Sequence, residues 1–305
     1  MKAEEERNPG DMEAEEEEEV MEEDNNEKVN ETQTKTKKRK RKAIAIFGNY
    51  RNYYGYRTRD LEEDPRLMLL KKEWFEGKDC LDIGCNQGLI TISIAKKFFC
   101  QSICGIDIDS HLVESAYWNL RRIAKMDKVS CGSSKANRSK LSEVVNGLEH
   151  SITESLNVET VNLVRYLNPS QEPKLFDVVS FRKENFVSSW HNCSEAYDTI
   201  LCLSVTKWVH LNWGDDGLIT LFAKIWRLLR PGGILLLEAQ NWKSYKSNYR
   251  VSEIATFNFH NILLPPSVFQ DILLDKIGFR TVENITASLP GGTGGFNRPI
   301  FVFCK

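Results

Sequence analysis

Short apolar runs and helix-period stretches alternate along this chain. Asp79 to Ile83 reads as the end of a buried strand, and Leu89 to Phe99 as an apolar helix. Ile103 to Asp107 is a second strand, followed by a helix that Ser110 would cap and that runs through Ala124. Residues 131–174 break the rhythm. They are rich in Ser, Asn, Lys and Glu, and are expected to form an insertion, part loop, with a helix near Val158 to Leu167. The alternation resumes with a strand at Phe176 to Phe181, the loop Lys183-Glu184-Asn185-Phe186 and an apolar strand at Tyr197 to Leu203. Gly217 to Leu229 has helical spacing (Leu218, Leu221, Phe222, Ile225, Leu228), stopped by Arg230-Pro231-Gly232-Gly233. Ile234 to Glu238, Phe279 to Ile285 and Pro299 to Phe303 complete the strands. This order predicts an α/β fold with a doubly wound, mostly parallel sheet.

The chemistry concentrates in Leu81-Asp82-Ile83-Gly84-Cys85-Asn86-Gln87-Gly88. Glycines at such a turn let the backbone approach a ligand closely. Asp107, at the tip of the next strand, is placed to accept hydrogen bonds from a ribose diol, although it could instead cap a helix. The spacing D-x-G-x-x-x-G departs from G-x-G-x-x-G, so a dinucleotide site is the weaker reading. An acid before Gly-x-x-x-Gly is the pattern associated with S-adenosylmethionine.

Charge divides the chain. Residues 1–31 hold fifteen acids and three bases, whereas Lys35 to Lys42 holds seven bases. Residues 1–42 are expected to be a disordered tail, acidic then basic, because too few apolar side chains are present to repay the ordering entropy. The basic run suits nuclear import or an RNA-clamping arm, or is a solvated linker. The domain is then 43–305, with a balance near +3, so any RNA affinity must come from a local patch or from the arm. Eight cysteines, none in C-x-x-C, are expected to be buried free thiols, with no disulfide and no metal. No apolar stretch is long enough to cross a membrane, and no secretory signal is visible.

Leu-Asp-Ile-Gly, Asp107 and Leu228-Leu229-Arg230-Pro231-Gly232-Gly233 resemble a class I S-adenosylmethionine-dependent methyltransferase. Gly48-Asn49-Tyr50, Tyr53-Tyr54-Gly55-Tyr56-Arg57 and the run from Leu203 through Lys207, Trp208, His210 and Trp213 to Asp215 narrow this. They resemble the RNA methylphosphate capping enzymes, the bicoid-interacting-protein family, over residues 45–305. The resemblance implies a Rossmann-like seven-stranded sheet with an antiparallel C-terminal strand. It implies an S-adenosyl-L-methionine site at Tyr54, Arg66, Gly84, Cys85, Asn86, Asp107, Ile108, Asn185, Phe186 and Leu203. Asn86 stands where most class I methyltransferases have glycine, a departure the capping family shares.

Methyl transfer to a terminal phosphate needs no general base, since the oxygen is already ionised near neutrality. It needs a triphosphate end held in line. A guanidinium, an ammonium and a phenol hydroxyl suit a phosphate, and the resemblance makes Tyr53, Arg57 and Lys207 the candidates, because each lies in a motif of that family at the expected rim of the cofactor pocket, with His210 a further RNA contact. Each has a plainer reading. Tyr53 and Tyr54 could be aromatic core, Lys207 a surface lysine, and Trp208 and Trp213 core instead of base-stacking platforms. Arg66 could pair with Glu62 or Glu63 at the surface. The expected function is methylation of the 5′-terminal γ-phosphate of a small non-coding RNA in the nucleus, with a small nuclear ribonucleoprotein as a candidate partner. The alternatives are a 5′-monophosphate methyltransferase acting on transfer RNA or small-RNA precursors, an RNA-binding scaffold with little turnover, and, last, a small-molecule methyltransferase.

Overall fold

The computed structural model describes residues 45–51, 53, 63–132, 174–189, 194–286 and 298–305. The expected tail over 1–42, nearly all of the insertion at 131–174, and Tyr54 and Arg57 lie outside those residues.

Seven strands form one sheet in the order β3-β2-β1-β4-β5-β7-β6. They are β1 (Asp79–Ile83), β2 (Ser102–Asp107), β3 (Val179–Lys183), β4 (Tyr197–Leu203), β5 (Leu229–Glu238), β6 (Thr281–Asn284) and β7 (Ile300–Cys304). β1 through β5 pair in parallel, and β7 runs antiparallel between β5 and β6. The fold is thus a Rossmann-like, mostly parallel seven-stranded sheet with an antiparallel C-terminal strand. Both faces are covered. Cys80, Ile103, Leu201 and Leu203 face one core with helix α1 (Leu89–Phe98) and the first half of α2 (Ser110–Gly132). Leu81, Ile83, Ile200 and Cys202 face the other, with α3 (Thr206–Leu228). Burial on both sides explains why the central strands β1, β4 and β5 read as nearly continuous apolar runs. The chain winds from β1 to β2 and β3 on one side, then to β4 and β5 on the other. The crevice at the tips of β1 and β4 is therefore where an open α/β sheet places a ligand.

Several boundaries differ from the sequence reading. α3 is interrupted at Gly214 (φ 63°, ψ −165°), whose backbone is not helical: the helix expected from Gly217 lies after this kink, and a helical segment from Thr206 that the apolar period does not show lies before it. Arg230-Pro231-Gly232-Gly233 does stop the helix, but lies inside β5 beside a register irregularity at Tyr197/Thr199. Arg230 is held there by Asp198 and Asp79 at 2.6 and 3.0 Å. A helical turn, Leu175–Val178, precedes β3 and displaces the strand expected at Phe176. Asp109, not Ser110, caps α2, accepting from the His111 N–H at 2.8 Å. Two helices that carry few apolar periods, α4 (Trp242–Asn248) and α5 (Glu253–Asn261), were not legible beforehand. Cys80, Cys85, Cys100, Cys104, Cys202 and Cys304 are free thiols, and Cys80, Cys85, Cys100 and Cys202 are buried.

Gly88 opens α1 at φ 71°, and a β-carbon there would lie 2.5 Å from the Phe181 ring and 2.8 Å from Ala116. Both neighbours are packed core. Gly88→Ala should therefore cost about 1–3 kcal/mol, seen as a lower urea midpoint at unchanged slope.

Asp82 is buried in β1, and the Thr91 hydroxyl donates to its Oδ2 at 2.6 Å. Burial pushes its carboxyl up to about 6, against the pull of Thr91 and Arg66. The native state thus binds this proton more tightly than an unfolded chain does. Stability falls as pH rises from about 4 to about 6, and the loss is complete above that. Asp82→Asn keeps an acceptor for Thr91 and removes the titration. Urea unfolding between these pH values should show the variant gaining on the wild type with rising pH, by on the order of 2–3 kcal/mol at the plateau.

Candidate functional site at the strand tips

The turn after β1 is built around Asp107. Gly84 and Cys85 both donate their N–H to the Ile106 carbonyl, at 2.8 and 3.0 Å. Asn86, at φ 51°, donates its N–H to Asp107 Oδ2 at 2.9 Å, and the Asp109 N–H donates to Oδ1 at 3.0 Å. Burial raises the Asp107 carboxyl, although these N–H groups, with that of Ile108, oppose the shift. Each carboxylate oxygen has more than one lone pair, so holding the turn and accepting from a diol are compatible roles. Asn185 and Phe186 leave β3 at the same end, where the Glu184 N–H donates to the Asp107 carbonyl at 2.8 Å. Lys224 of α3 fixes this loop by donating to the carbonyls of Phe186 and Val187 at 3.0 and 2.6 Å, and to that of Ser189.

Beside this turn lies an ionic network of which only one member, Arg66, was singled out from sequence. Arg66 is not on the surface, and among the described residues it meets Asp64 and Glu238. It is buried, with Nε and a terminal nitrogen on Asp64 at 3.0 and 2.8 Å, and the other terminal nitrogen on Glu238 at 2.8 Å. Burial alone would lower its affinity for the proton; Glu238 and Asp64 outweigh it and raise the pKa. Tyr53 packs near enough to add to that field. Glu238 closes β5 and also accepts from the Ser204 hydroxyl at 3.0 Å, while Arg298 donates to that hydroxyl at 3.0 Å. Ser204 follows Leu203 at φ 62°, an uncommon conformation for a side-chain-bearing residue, held here by these partners. The signal for Glu238 was present: like Asp107, it is an acid ending an apolar strand.

Lys207 lies just past Ser204, and it is not a surface lysine. It is 5% exposed, with Nζ donating to Ser244 Oγ at 2.8 Å and lying 4.4 Å from the Trp208 ring centre. His210 corrects the expectation of an RNA contact. It is fully buried, with Nε2 at 2.7 Å from Asp215 and Nδ1 at 3.2 Å from the Tyr245 hydroxyl. Burial holds the ring below the ordinary histidine range despite Asp215. The neutral ring therefore donates from Nε2 and accepts at Nδ1, because a carboxylate only accepts. His210 joins α3 to α4 and does not face a ligand. Trp208 and Trp213 serve packing. Phe47 stacks on Trp213 at 5.7 Å, and Tyr50 meets Trp208 edge-on at 5.8 Å. Residues 45–51 thus form a strap across the strand tips. Asn49 donates to Asp109 at 2.6 Å, Asn86 to the Tyr50 carbonyl at 3.2 Å, and Asn212 to the Ile46 carbonyl at 3.0 Å. Gly48 lies so close that a β-carbon would fall 2.0 Å from Trp208 Nε1.

The arrangement is a glycine turn with carboxylates on one bank and a buried ammonium on the other. Residues 197–305 match the family model described as Bicoid-interacting protein 3 (Bin3). A probable RNA methyltransferase of Arabidopsis thaliana is 56% identical over 260 residues, covering 85% of this chain and 80% of that protein. The U6 snRNA methylphosphate capping enzyme Amus of Drosophila melanogaster is 31% identical, covering 85% of this chain and 74% of its own length. The human 7SK snRNA methylphosphate capping enzyme is 39% identical across 85% of this chain, which spans 39% of that protein. The chain belongs to the Bicoid-interacting protein 3 family of methyltransferases.

Proposed function

We propose that this protein methylates the 5′-terminal phosphate of a small non-coding RNA, with the γ-phosphate of a triphosphate end as acceptor and S-adenosylmethionine as donor. The observation that carries this reading is Lys207: an ammonium kept inside the fold at the tip of β4, where a strand-tip ligand gathers. A cation buried there suits a multiply charged phosphate better than a neutral acceptor.

The residues present fit the donor. The Gly84–Gly88 turn carries positive φ at Gly84, Asn86 and Gly88, leaving backbone where side chains would otherwise stand. Bound there, S-adenosylmethionine supplies an electrophilic methyl on a positively charged sulfur. Asp107 accepts from the ribose diol. Cys85, Asn86, Ile108, Asn185, Phe186 and Leu203, gathered at the same strand tips, would hold the rest of the donor. Arg66 brings positive charge toward the carboxylate end from within its pairing to Asp64 and Glu238. Lys207, with Tyr53 and Arg57, holds the phosphate chain so that one oxygen lies in line with the methyl, and Tyr54 belongs to the donor site. No residue need remove a proton, because the terminal phosphate is ionised near pH 7. The strap keeps water from the tips. Nuclear action follows from the same reading, with Lys35 to Lys42 as import signal or RNA arm.

Single-turnover methylation of matched triphosphate, monophosphate and hydroxyl-ended RNAs tests the proposal. Triphosphate RNA should react fastest, monophosphate RNA slowly, and hydroxyl-ended RNA not at all. Equal transfer to hydroxyl-ended RNA would remove the phosphate from the mechanism. Lys207→Ala should lower kcat/KM on triphosphate RNA by about 10²-fold or more through lost alignment, with S-adenosylhomocysteine affinity nearly unchanged. Asp107→Ala should do the reverse first. Calorimetry should show S-adenosylhomocysteine binding weakened by about 1.5–3 kcal/mol, the range for hydrogen bonds to a charged acceptor. An unaltered affinity would put the ribose elsewhere.

A further inference from the structure

One feature outside the strand tips has no role in the chemistry above. Four aromatic rings from α4, α5 and the turn between them stack in a row. Tyr245 and Trp242 are 5.2 Å apart at 26°, Trp242 and Phe259 5.1 Å at 18°, and Phe259 and Tyr249 4.5 Å at 20°. The inner end is closed, since Tyr245 is fully buried against His210. The outer end is different. Arg250 lies over the Tyr249 ring at 5.2 Å, and its Nε donates to the Tyr249 hydroxyl at 2.8 Å. That end opens into a surface cleft of about 480 Å³ lined by Lys246, Ser247, Tyr249, Arg250 and Phe259. Lys243, Lys246 and Arg250 are exposed along this face, with Glu253 the acid at the start of α5.

We infer that this cleft is a subsite for single-stranded RNA downstream of the 5′ end, in which a nucleobase packs against the cleft-lining edges of Tyr249 and Phe259 and backbone phosphates meet Lys246 and Arg250. Packing accounts for the four rings, which join α4, α5 and the turn between them. It does not account for ending the row on a guanidinium in a cleft bordered by cations. Rings open to solvent beside basic side chains are the combination that grips single strands without reading sequence. The placement suits an RNA whose end lies at the tips. Ser244, the partner of Lys207, sits on the same helix, and the six-residue step to Arg250 covers about 10 Å. A strand leaving Lys207 therefore crosses this face at once. The inference rests on the RNA reading above for the identity of the ligand.

The test uses the full chain and two RNAs of roughly a dozen nucleotides, one triphosphate-ended and one hydroxyl-ended, with S-adenosylhomocysteine calorimetry as control. Lys246→Ala combined with Arg250→Ala alters exposed positions and leaves the ring row in place. Affinity for both RNAs should fall by about tenfold or more, and equally, because the subsite holds the body and not the end. The salt slope should become shallower by about 1.4 if two phosphates are lost, with cofactor-product affinity unchanged. A photoreactive 5-iodouridine in the RNA should cross-link to Tyr249 in the wild type. Unchanged affinity and slope, or displacement of RNA by poly-glutamate as effectively as by RNA of equal charge, would overturn the inference. Failure of the two readings is separable. A wild type that methylates triphosphate RNA, with a double variant that binds RNA normally, removes the subsite alone. A wild type that methylates no phosphate end, with a double variant that loses RNA, removes the catalytic reading and keeps the subsite.

Discussion

The contact between Arg66 and Glu238 is the constraint on which the strand tips depend. A carboxylate that is 1% exposed at the end of a central strand is too costly to keep ionised unless a cation meets it with good geometry. Arg66 does so at 2.8 Å, and Asp64 in turn fixes the guanidinium through two of its nitrogens. The Ser204 hydroxyl and Arg298 engage Glu238's other oxygen side, which locks the exit of β4 in its left-handed turn. Lys207 follows three residues later. The position of the buried ammonium is therefore inherited from an ion pair that does not touch it.

A second consequence concerns how one rim is held against the other. The β1 and β2 tips carry acids, and the α3 and α4 side carries Lys207 and the indoles. The strap at residues 45–51 hydrogen-bonds to both. Asn49 and the Tyr50 carbonyl reach Asp109 and Asn86, while Tyr50 Oη donates to Asn248 at 2.9 Å. Its polar contacts are short and directional, and its apolar ones are ring on ring, so the two banks are set at one separation. Alignment for an in-line displacement tolerates little variation in that separation.

The sheet was legible because burial on both faces forces long apolar runs, one of which ends in the acid Asp107. Legibility failed where local pattern and tertiary packing diverge. Thr206 to Trp213 mixes Lys, His and Asn with Trp, so it shows no clean helical period; the structure buries Lys207 and His210 by giving each a partner from α4. Arg66 has one partner close in sequence, Asp64, but the other, Glu238, is 172 residues away. No local rule supplies such a pairing. Likewise α4 and α5 are joined by stacked rings and not by an aliphatic stripe, a pattern periodicity does not detect.

Gly48, Trp208 and Lys207 form a chain of contacts with evolutionary weight. The glycine leaves no room beside the indole nitrogen, and the other side of that indole's surroundings includes the lysine ammonium at 4.4 Å. A larger side chain at 48 must push the ring, and a displaced ring changes the face offered to the cation. Substitutions at positions 48 and 207, far apart in sequence, therefore cannot drift independently: descendants of this chain must keep all three residues or replace them together.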